Sequence, residues 1–266
     1  MDLNKLLEFA EKCAKENGKL IIESAVDIKS FKKTDKYFNE VVEEKIVEQT
    51  YNSIKINYPD HLFLNKSENK TISNKDFEWI SDPIDGAFVY CRGWSMCVTS
   101  MALTKDGESI LAVVYDPWNN KLFHAIKGKG AYLNDNKIEV NNNVIEKQTF
   151  IDTEWWPMAK YDVEEVIHKL SKEKLIYSIH IGSVIQSACL VAQGVLSATL
   201  FGGYVHGKNH EAAAVKLIVE ESGGIFTDLK GDVTGFIGDI KGFIISNKNC
   251  HNDLVERCKV LFPSNE

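Results

Sequence analysis

The chain has 266 residues, 44% hydrophobic and 26% charged, which is typical of a globular protein with a large core. Its formal net charge of −7, without a dominant basic tract, argues against a nucleic-acid polymer as partner. No stretch approaches the roughly 20 apolar residues of a membrane span, and the absence of a CxxC pair among the cysteines favours reduced thiols in a cytoplasmic protein.

The first part of the chain is predicted to contain two helices followed by a group of strands. Apolar residues at helical spacing predict the helices over residues 2–17 and 39–57. An antiparallel meander of three or four strands then follows, with predicted strands over residues 95–104, 109–116 and 121–126 and near Tyr132. The apolar run from Leu111 to Tyr115 predicts a strand that is buried on both faces.

The second part of the chain is predicted to alternate between strands and helices. The predicted strands cover residues 149–153, 175–180, 196–201, 224–228 and 242–246, and the predicted helices cover residues 162–171, 184–194, 210–222 and 251–260. Residues 137–148 are predicted to form a strand followed by a connection. The change of rhythm there predicts an N-terminal half over residues 1–145 and a C-terminal half over residues 146–266, joined in one compact unit.

A segment with two carboxylates, Asp82-Pro83-Ile84-Asp85-Gly86, follows the apolar run from Phe77 to Ile80. Pro83 fixes one backbone angle, and Gly86 allows the backbone to come close to a ligand. Two carboxylates three residues apart on a rigid turn at the end of a strand suit a hard cation such as Mg²⁺. An ordinary capped turn is the alternative, because Asp-Pro and Asp-Gly pairs are common turn formers.

Two further segments carry groups that an ionic ligand would use. Gly182-Ser183 precedes a predicted helix, and the N–H groups and dipole at its start favour an anion such as phosphate. An ordinary N-cap serine is the alternative there. Glu211 lies in the first turn of another predicted helix, where the helix dipole alone favours a carboxylate. We also predict that Glu211 reaches a cation held by Asp82 and Asp85.

Several motifs resemble the inositol monophosphatase superfamily of Mg²⁺-dependent phosphatases over most of the chain. Residues 79–86, WISDPIDG, are similar to the family's WIIDPIDGT, and residues 128–132, GKGAY, are similar to part of its KGKGAF segment. Residues 220–228 resemble its EAGGxxxD segment, and Tyr58-Pro59-Asp60-His61 stands where the family has YPxH. The order and spacing of these motifs identify the chain as a divergent member.

The resemblance implies an α/β fold, the αβαβα five-layer sandwich of inositol monophosphatase and fructose-1,6-bisphosphatase, with the site between the two halves. The N-terminal half would carry the DPIDG metal turn, and the C-terminal half would carry the phosphate site and a further metal-ligand helix. It implies that Asp82 bridges the metal ions and that the Ile84 carbonyl and Asp85 each bind one. Glu211 would complete the ligand set.

The same resemblance implies a reaction and its cofactor. The backbone at Gly86-Ala87 and at Gly182-Ser183 would hold the phosphate group. Mg²⁺ or Mn²⁺ would be the cofactor, and a metal-activated water would attack the phosphorus of a phosphate monoester. A homodimer is expected because relatives commonly form one.

The chain departs from the family pattern at positions that matter for hydrolysis. The family's glutamate ligand falls at Ser67, so that Glu68 becomes the candidate catalytic residue that would compensate; exposure of Glu68 to solvent is the alternative. Ala87 replaces the threonine that orients water. His210-Glu211 replaces a Trp-Asp pair, which keeps the charge of the ligand but lengthens its side chain by one methylene. These changes predict a weakened or repurposed metal site.

Other residues are candidates with open alternatives. His206 and Lys208, in the Gly-rich loop ahead of Glu211, would bind a second phosphate or another anionic group, or would lie in a flexible surface loop. His206 or His210 acting as an acid or base would indicate a different phosphoryl chemistry. Trp155-Trp156 is predicted to serve core or dimer packing rather than substrate stacking.

Two functional hypotheses follow. The first is a Mg²⁺-dependent phosphomonoesterase that hydrolyses an inositol, sugar or nucleotide phosphate. The alternative is a catalytically weakened or inactive family member that binds a phosphorylated ligand. In both cases the predicted partner is a small phosphorylated metabolite, with no nucleic-acid polymer and no membrane involved.

Overall fold

The computed structural model describes residues 2–28, 36–65, 77–203, 210–236 and 241–262. The helices in this part of the chain are α1 (Leu3–Ile28), α2 (Lys36–Asn57), α3 (Ala87–Tyr90), α4 (Val163–Lys174), α5 (Val184–Ala192), α6 (His210–Glu221) and α7 (Lys248–Cys258), and a 3₁₀ turn over Lys259–Leu261 follows α7. None of these helices combines the length and the apolar character needed to cross a bilayer.

The strands form two sheets. The first sheet contains β1 (Leu62–Asn65), β2 (Glu78–Asp85), β3 (Val98–Lys105), β4 (Glu108–Asp116), β5 (Lys121–Ile126), β6 (Ala131–Leu133) and β7 (Asn136–Ile138), in that order. The second contains β8 (Phe150–Glu154), β9 (Tyr177–Ile179), β10 (Ala198–Phe201), β11 (Ile225–Asp228) and β12 (Phe243–Ser246), in the order β11-β12-β10-β8-β9.

Strand directions differ between the two sheets because their connections differ. In the first sheet β1 is parallel to β2, and all later neighbours are antiparallel. In the second sheet β8 is parallel to both β10 and β9, and intervening helices make those crossovers. The antiparallel β12 lies between β10 and β11.

The layers follow from side chains that alternate across the first sheet. In β4, Leu111 and Val113 pack in a core with residues of α1 and α2. Their neighbours Ala112 and Val114 pack on the opposite face with residues of α5 and α6. This alternation has the period of a strand that is buried on both faces, as predicted for residues 111–115.

The second sheet is covered in the same way. Phe226 and Phe243 face the central core that contains α5 and α6. Ile151 and Ile244 face a separate core formed with α4 and α7. The order of layers is therefore helices, sheet, helices, sheet, helices, and the expected αβαβα fold is confirmed.

Several predicted boundaries were wrong. The meander contains the five strands β3 to β7, and β7 corresponds to the strand predicted at the start of residues 137–148. The short elements β1 and α3 were not predicted. The DPIDG segment does not form a turn beyond a strand, because β2 continues to Asp85. Its pairing with β3 shifts register between Asp82 and Asp85, around Pro83, which has no N–H to donate.

The helix predicted to end at residue 17 continues to Ile28 because Gly18 serves packing rather than helix termination. A Cβ atom at Gly18 would lie 2.5 Å from the Tyr115 ring. The missing side chain therefore allows α1 to lie directly on β4. This contact joins residues nearly a hundred positions apart, and local sequence patterns do not report it.

The side chain of Asn141 stabilises the connection between the two sheets through hydrogen bonds. Its amide nitrogen donates to the carbonyl oxygens of Gly194 and Leu196, each at 3.0 Å. Its amide oxygen accepts from Asn247 Nδ2 at 2.7 Å, at the N-cap of α7. The division of the chain at residues 145 and 146 falls within this connection and stays a prediction.

We predict that Asn141→Ala lowers the free energy of unfolding by about 2–4 kcal/mol, because it leaves several partly buried polar groups unsatisfied. Urea-induced unfolding of the metal-free chain measures the effect. The matched control is Asn142→Ala, whose side chain is exposed and which should change stability by less than about 0.5 kcal/mol. Equal effects of the two substitutions would contradict the role of Asn141.

Candidate active site

A cavity of about 900 Å³ lies where the end of β2 meets the first turns of α5 and α6. Its polar lining combines four carboxylates with two histidines, namely Asp82, Asp85, Glu154, Glu211, His180 and His210. The carboxylates are all at least nine-tenths buried. Four buried acids in one cavity repel one another, and a bound cation would stabilise them.

Asp85 is held by the start of α5. Its Oδ2 accepts hydrogen bonds from the Ser183 hydroxyl and from the Ile185 N–H, the latter at 2.8 Å. Burial raises the pKa of Asp85 to about 8, and the charges of Asp82 and Glu211 act in the same direction. Ser183, the N-cap of α5, therefore positions a carboxylate from the other half of the chain.

Asp82, His210 and Glu211 form the tightest cluster in the cavity. One ligand atom from each residue lies within 4.8 Å of the other two. His210 Nε2 is 3.5 Å from Asp82 Oδ2 and 3.8 Å from Glu211 Oε1. Glu211 occupies the first turn of α6, as predicted. The structure thus brings the predicted acids together and adds His210, which was predicted as an acid or base or as a partly buried replacement for the family's tryptophan.

The backbone after Asp85 turns sharply into α3. Gly86 adopts a φ of 81°, and a Cβ atom there would lie 2.6 Å from the Met96 carbonyl oxygen. Both the left-handed conformation and this close approach require glycine. Ile84, Gly86 and Ala87 line the cavity, so their main-chain groups stand beside the carboxylates. Their predicted contacts with metal and phosphate stay predictions.

Glu154, at the end of β8, was not predicted as a site residue. Its Oε1 accepts from the N–H groups of Gly182 at 2.7 Å and Ser183 at 3.1 Å. The amides predicted to hold a phosphate therefore hold a carboxylate of the chain itself in this structure. A phosphate there would have to displace Glu154, and the predicted contact stays a prediction.

Burial raises the pKa of Glu154 well above its usual range, and the charges of Asp152 and Asp85 add to this effect. The sequence carried one usable signal for this residue. Glu154 ends a strand and is followed by a change of chain direction, and ligands of α/β proteins gather at the carboxyl ends of strands. A single glutamate at such a position is not specific enough to have been selected.

The remaining predicted site residues cannot be placed. Glu68, with its neighbour Ser67, and both His206 and Lys208 lie outside the described residues.

Gly182 lines the cavity, whereas Ser183 is buried beneath it and contacts Asp85.

The wall of the cavity away from the acids is apolar. It is lined by Phe88, Trp155, Trp156, Pro157, Met158 and Phe201. Phe88 and Met158 are 73% and 76% exposed, which is unusual for side chains of this type. The Trp156 ring lies 5.5 Å from that of Phe201. Both tryptophans are half-buried against the cores, so they serve packing, as predicted, and also face the cavity.

The donor groups present fit a divalent cation. Carboxylate oxygens are the ligands that Mg²⁺ and Mn²⁺ prefer, and imidazole nitrogen adds affinity for later transition metals. Asp82, Glu211 and His210 already converge within the range of ligand atoms around one ion. Asp85 lies in the same cavity and strengthens its negative potential.

Comparison with known proteins gives a consistent result. The model of the inositol monophosphatase family matches residues 2–259. A protein named putative Nus factor SuhB from Neisseria meningitidis is 31% identical over 241 residues, which cover 86% of this chain and 89% of that one. The fructose-1,6-bisphosphatase/inositol-1-monophosphatase of Aquifex aeolicus is 26% identical and covers 97% of each chain.

Solved structures share the same fold. The inositol monophosphatase of Thermotoga maritima superimposes with a TM-score of 0.82 at 24% identity, covering 97% of this chain and 98% of that one. The inositol monophosphatase of Anabaena gives a TM-score of 0.81 at 18% identity, covering 98% of both chains.

We predict that Asp85→Asn stabilises the metal-free protein at pH 8 by about 1–3 kcal/mol, because asparagine removes a buried charge and retains an oxygen acceptor. Thermal unfolding in excess chelator measures the effect. Asp135→Asn, an exposed control, should change the unfolding free energy by less than about 0.5 kcal/mol. Added Mg²⁺ should stabilise the unmodified chain more than the Asp85 variant. A chelated Asp85 variant that is less stable than the unmodified chain would contradict this account.

Proposed function

This chain belongs to the inositol monophosphatase family, and on that premise we propose that it is a metal-dependent phosphomonoesterase acting on a small phosphorylated metabolite. The observation that carries the proposal is the convergence of Asp82, Asp85 and Glu211 in one buried cavity large enough for such a substrate. Family membership supports phosphatase chemistry and metal dependence in general. The roles of individual residues and the choice of substrate are proposed here.

Asp82, Asp85 and Glu211, with the Ile84 carbonyl, would hold the metal, with Mg²⁺ the first expectation and Mn²⁺ the second. When bound, such an ion lowers the pKa of water and stabilises the charge that develops on a leaving oxygen. Ser183 and Ile185 fix the carboxylate of Asp85 before any ligand arrives. This preorganisation reduces the reorganisation that ligand binding would otherwise require.

The main-chain N–H groups at Gly86 and Ala87 are the proposed phosphate contacts, because both residues line the cavity beside Asp85. Glu154 occupies the other pair of amides and adds negative charge, so the phosphate group is expected nearer Gly86 than Gly182. Glu68 remains the proposed compensating base in the absence of the family's glutamate at Ser67. Ala87 provides no hydroxyl to orient water, which favours slow turnover.

Among inositol, sugar and nucleotide phosphates, the described wall favours the nucleotide class. Aromatic and apolar side chains line it, and an indole N–H is the main polar group they offer. A flat nucleobase stacks on such a surface, whereas the hydroxyls of a polyol would lose their hydrogen bonds with water.

A non-catalytic protein that binds a phosphorylated ligand in the same cavity is the second candidate. The observation that favours it is Ala87, together with Ser67 in the sequence. The proposed partner in either case is a small metabolite. Absence of a nucleic-acid partner stays a prediction, since relatives carry the name Nus factor. Homodimer formation and a cytoplasmic location also stay predictions.

We predict that the purified chain releases inorganic phosphate from phosphate monoesters in the presence of Mg²⁺ or Mn²⁺ and not in excess chelator. Asp82→Asn should lower kcat/KM by at least about 100-fold, because it removes a proposed metal ligand. Asp135→Asn is the control and should retain activity. Metal-dependent binding of a phosphate ester without hydrolysis would favour the second candidate instead.

The aromatic wall provides a separate test. We predict that Trp155→Leu or Trp156→Leu lowers kcat/KM for a nucleoside monophosphate by about 10-fold or more, because stacking contributes about 1–3 kcal/mol per base. Hydrolysis of glycerol phosphate, which has no ring, should change much less. Trp94→Leu, at an exposed residue that is not part of the cavity lining, is the control. A parallel loss for both substrates would show that the wall does not select a ring.

A further inference from the structure

His210 is the feature of the cavity that the proposed function leaves unexplained. It begins α6, and its side chain is only 10% exposed among acidic groups. Its Nε2 points to the same space as the ligand atoms of Asp82 and Glu211. Two roles open to a histidine among acids are to provide a metal ligand and, when it is protonated, to contribute a positive charge.

The separations of His210 Nε2 from the two carboxylate oxygens fit a shared set of ligand atoms. Hydrogen bonds from nitrogen to oxygen are about 2.7–3.2 Å long, whereas His210 Nε2 lies 3.5 and 3.8 Å from the two carboxylate oxygens. Ligand atoms about 2.1 Å from a tetrahedral ion are about 3.4 Å apart, and around an octahedral ion adjacent ligands are about 3.0 Å apart. The separation of Nε2 from Asp82 Oδ2 is therefore close to the distance between two neighbouring ligand atoms of one ion.

We propose that His210 Nε2 coordinates a metal ion together with Asp82 and Glu211, and that this nitrogen shifts the preference of the site from Mg²⁺ towards a first-row transition metal. Mg²⁺ takes oxygen ligands and keeps its own waters, whereas imidazole suits Mn²⁺, Fe²⁺, Co²⁺ and Zn²⁺ increasingly well. The inference rests on the proposed function only in taking this cavity to be the metal site.

The alternative is that His210 is protonated and neutralises the acids in place of a metal. The two arrangements make opposite predictions for a variant without the imidazole. If His210 is an internal cation, its removal increases the negative potential and strengthens the binding of every divalent ion, Mg²⁺ included. If His210 is a ligand, its removal weakens the binding of transition metals selectively.

The test measures metal affinity directly in the full chain, without substrate. Isothermal titration of the chelated and desalted protein gives Kd for Mg²⁺, Mn²⁺ and Co²⁺. His210→Gln should weaken Co²⁺ binding by about 10–100-fold and Mg²⁺ binding by less than about 3-fold, because only the nitrogen donor is lost. The absorption spectrum of the bound Co²⁺ should change in the same variant.

His180→Gln is the matched control, because His180 lines the same cavity but lies outside the Asp82 cluster. It should leave the ratio of Co²⁺ to Mg²⁺ affinity unchanged. His210→Asn serves as a second variant if His210→Gln does not fold. Pulsed paramagnetic resonance of the Mn²⁺-loaded unmodified chain should also detect nitrogen coupling.

An unchanged affinity ratio in the His210 variants, tighter Mg²⁺ binding in them, or the absence of nitrogen coupling would each overturn the proposal. These outcomes are separate from a failure of the proposed function. A chain that hydrolyses no phosphate ester but shows the selective loss of Co²⁺ affinity would retain this metal site. If the chain hydrolyses phosphate esters with Mg²⁺ and His210→Gln leaves its metal affinities unchanged, the proposed phosphatase function stands and the proposed His210 ligand does not.

Discussion

The repulsion between three buried carboxylates is the main constraint on the cavity. Asp82, Asp85 and Glu211 are buried together, where their negative charges repel one another. Removal of a carboxylate from water is unfavourable without a compensating charge or hydrogen bonds. The fold supplies part of this compensation through the Ser183 hydroxyl and the Ile185 N–H. A divalent cation supplies the rest in the function that we propose, and the repulsion becomes a source of metal affinity.

The same constraint explains how the two sheets cooperate. Asp82 and Asp85 lie in the second half of β2 in the first sheet. Ser183 caps α5 and Glu211 lies in the first turn of α6, and both helices pack between the sheets. The helix N-termini place positive potential beside the acids. Glu154, from the second sheet, accepts from two N–H groups at the start of α5, and in the proposed function it would limit the places where a phosphate group binds.

The sequence predicted the parts that local chemistry determines. Asp82 and Asp85 were identifiable because two acids beside Pro83 and Gly86 suit a cation, and Glu211 because α6 begins beside it. The burial of β4 on both faces was predictable from its continuous apolar run. Glu154 was missed because its partners lie some thirty residues away, immediately before the first turn of α5. The extension of α1 through Gly18 was missed for the same reason, since the explanation lies in Tyr115.

A crystal structure of the full chain with Mn²⁺ tests the central claim most directly. Anomalous scattering should place at least one ion in contact with Asp82 and Glu211, within the cavity that Asp85 lines. A fully loaded crystal with no anomalous peak there, and with the acids paired to other protein groups instead, would contradict the account.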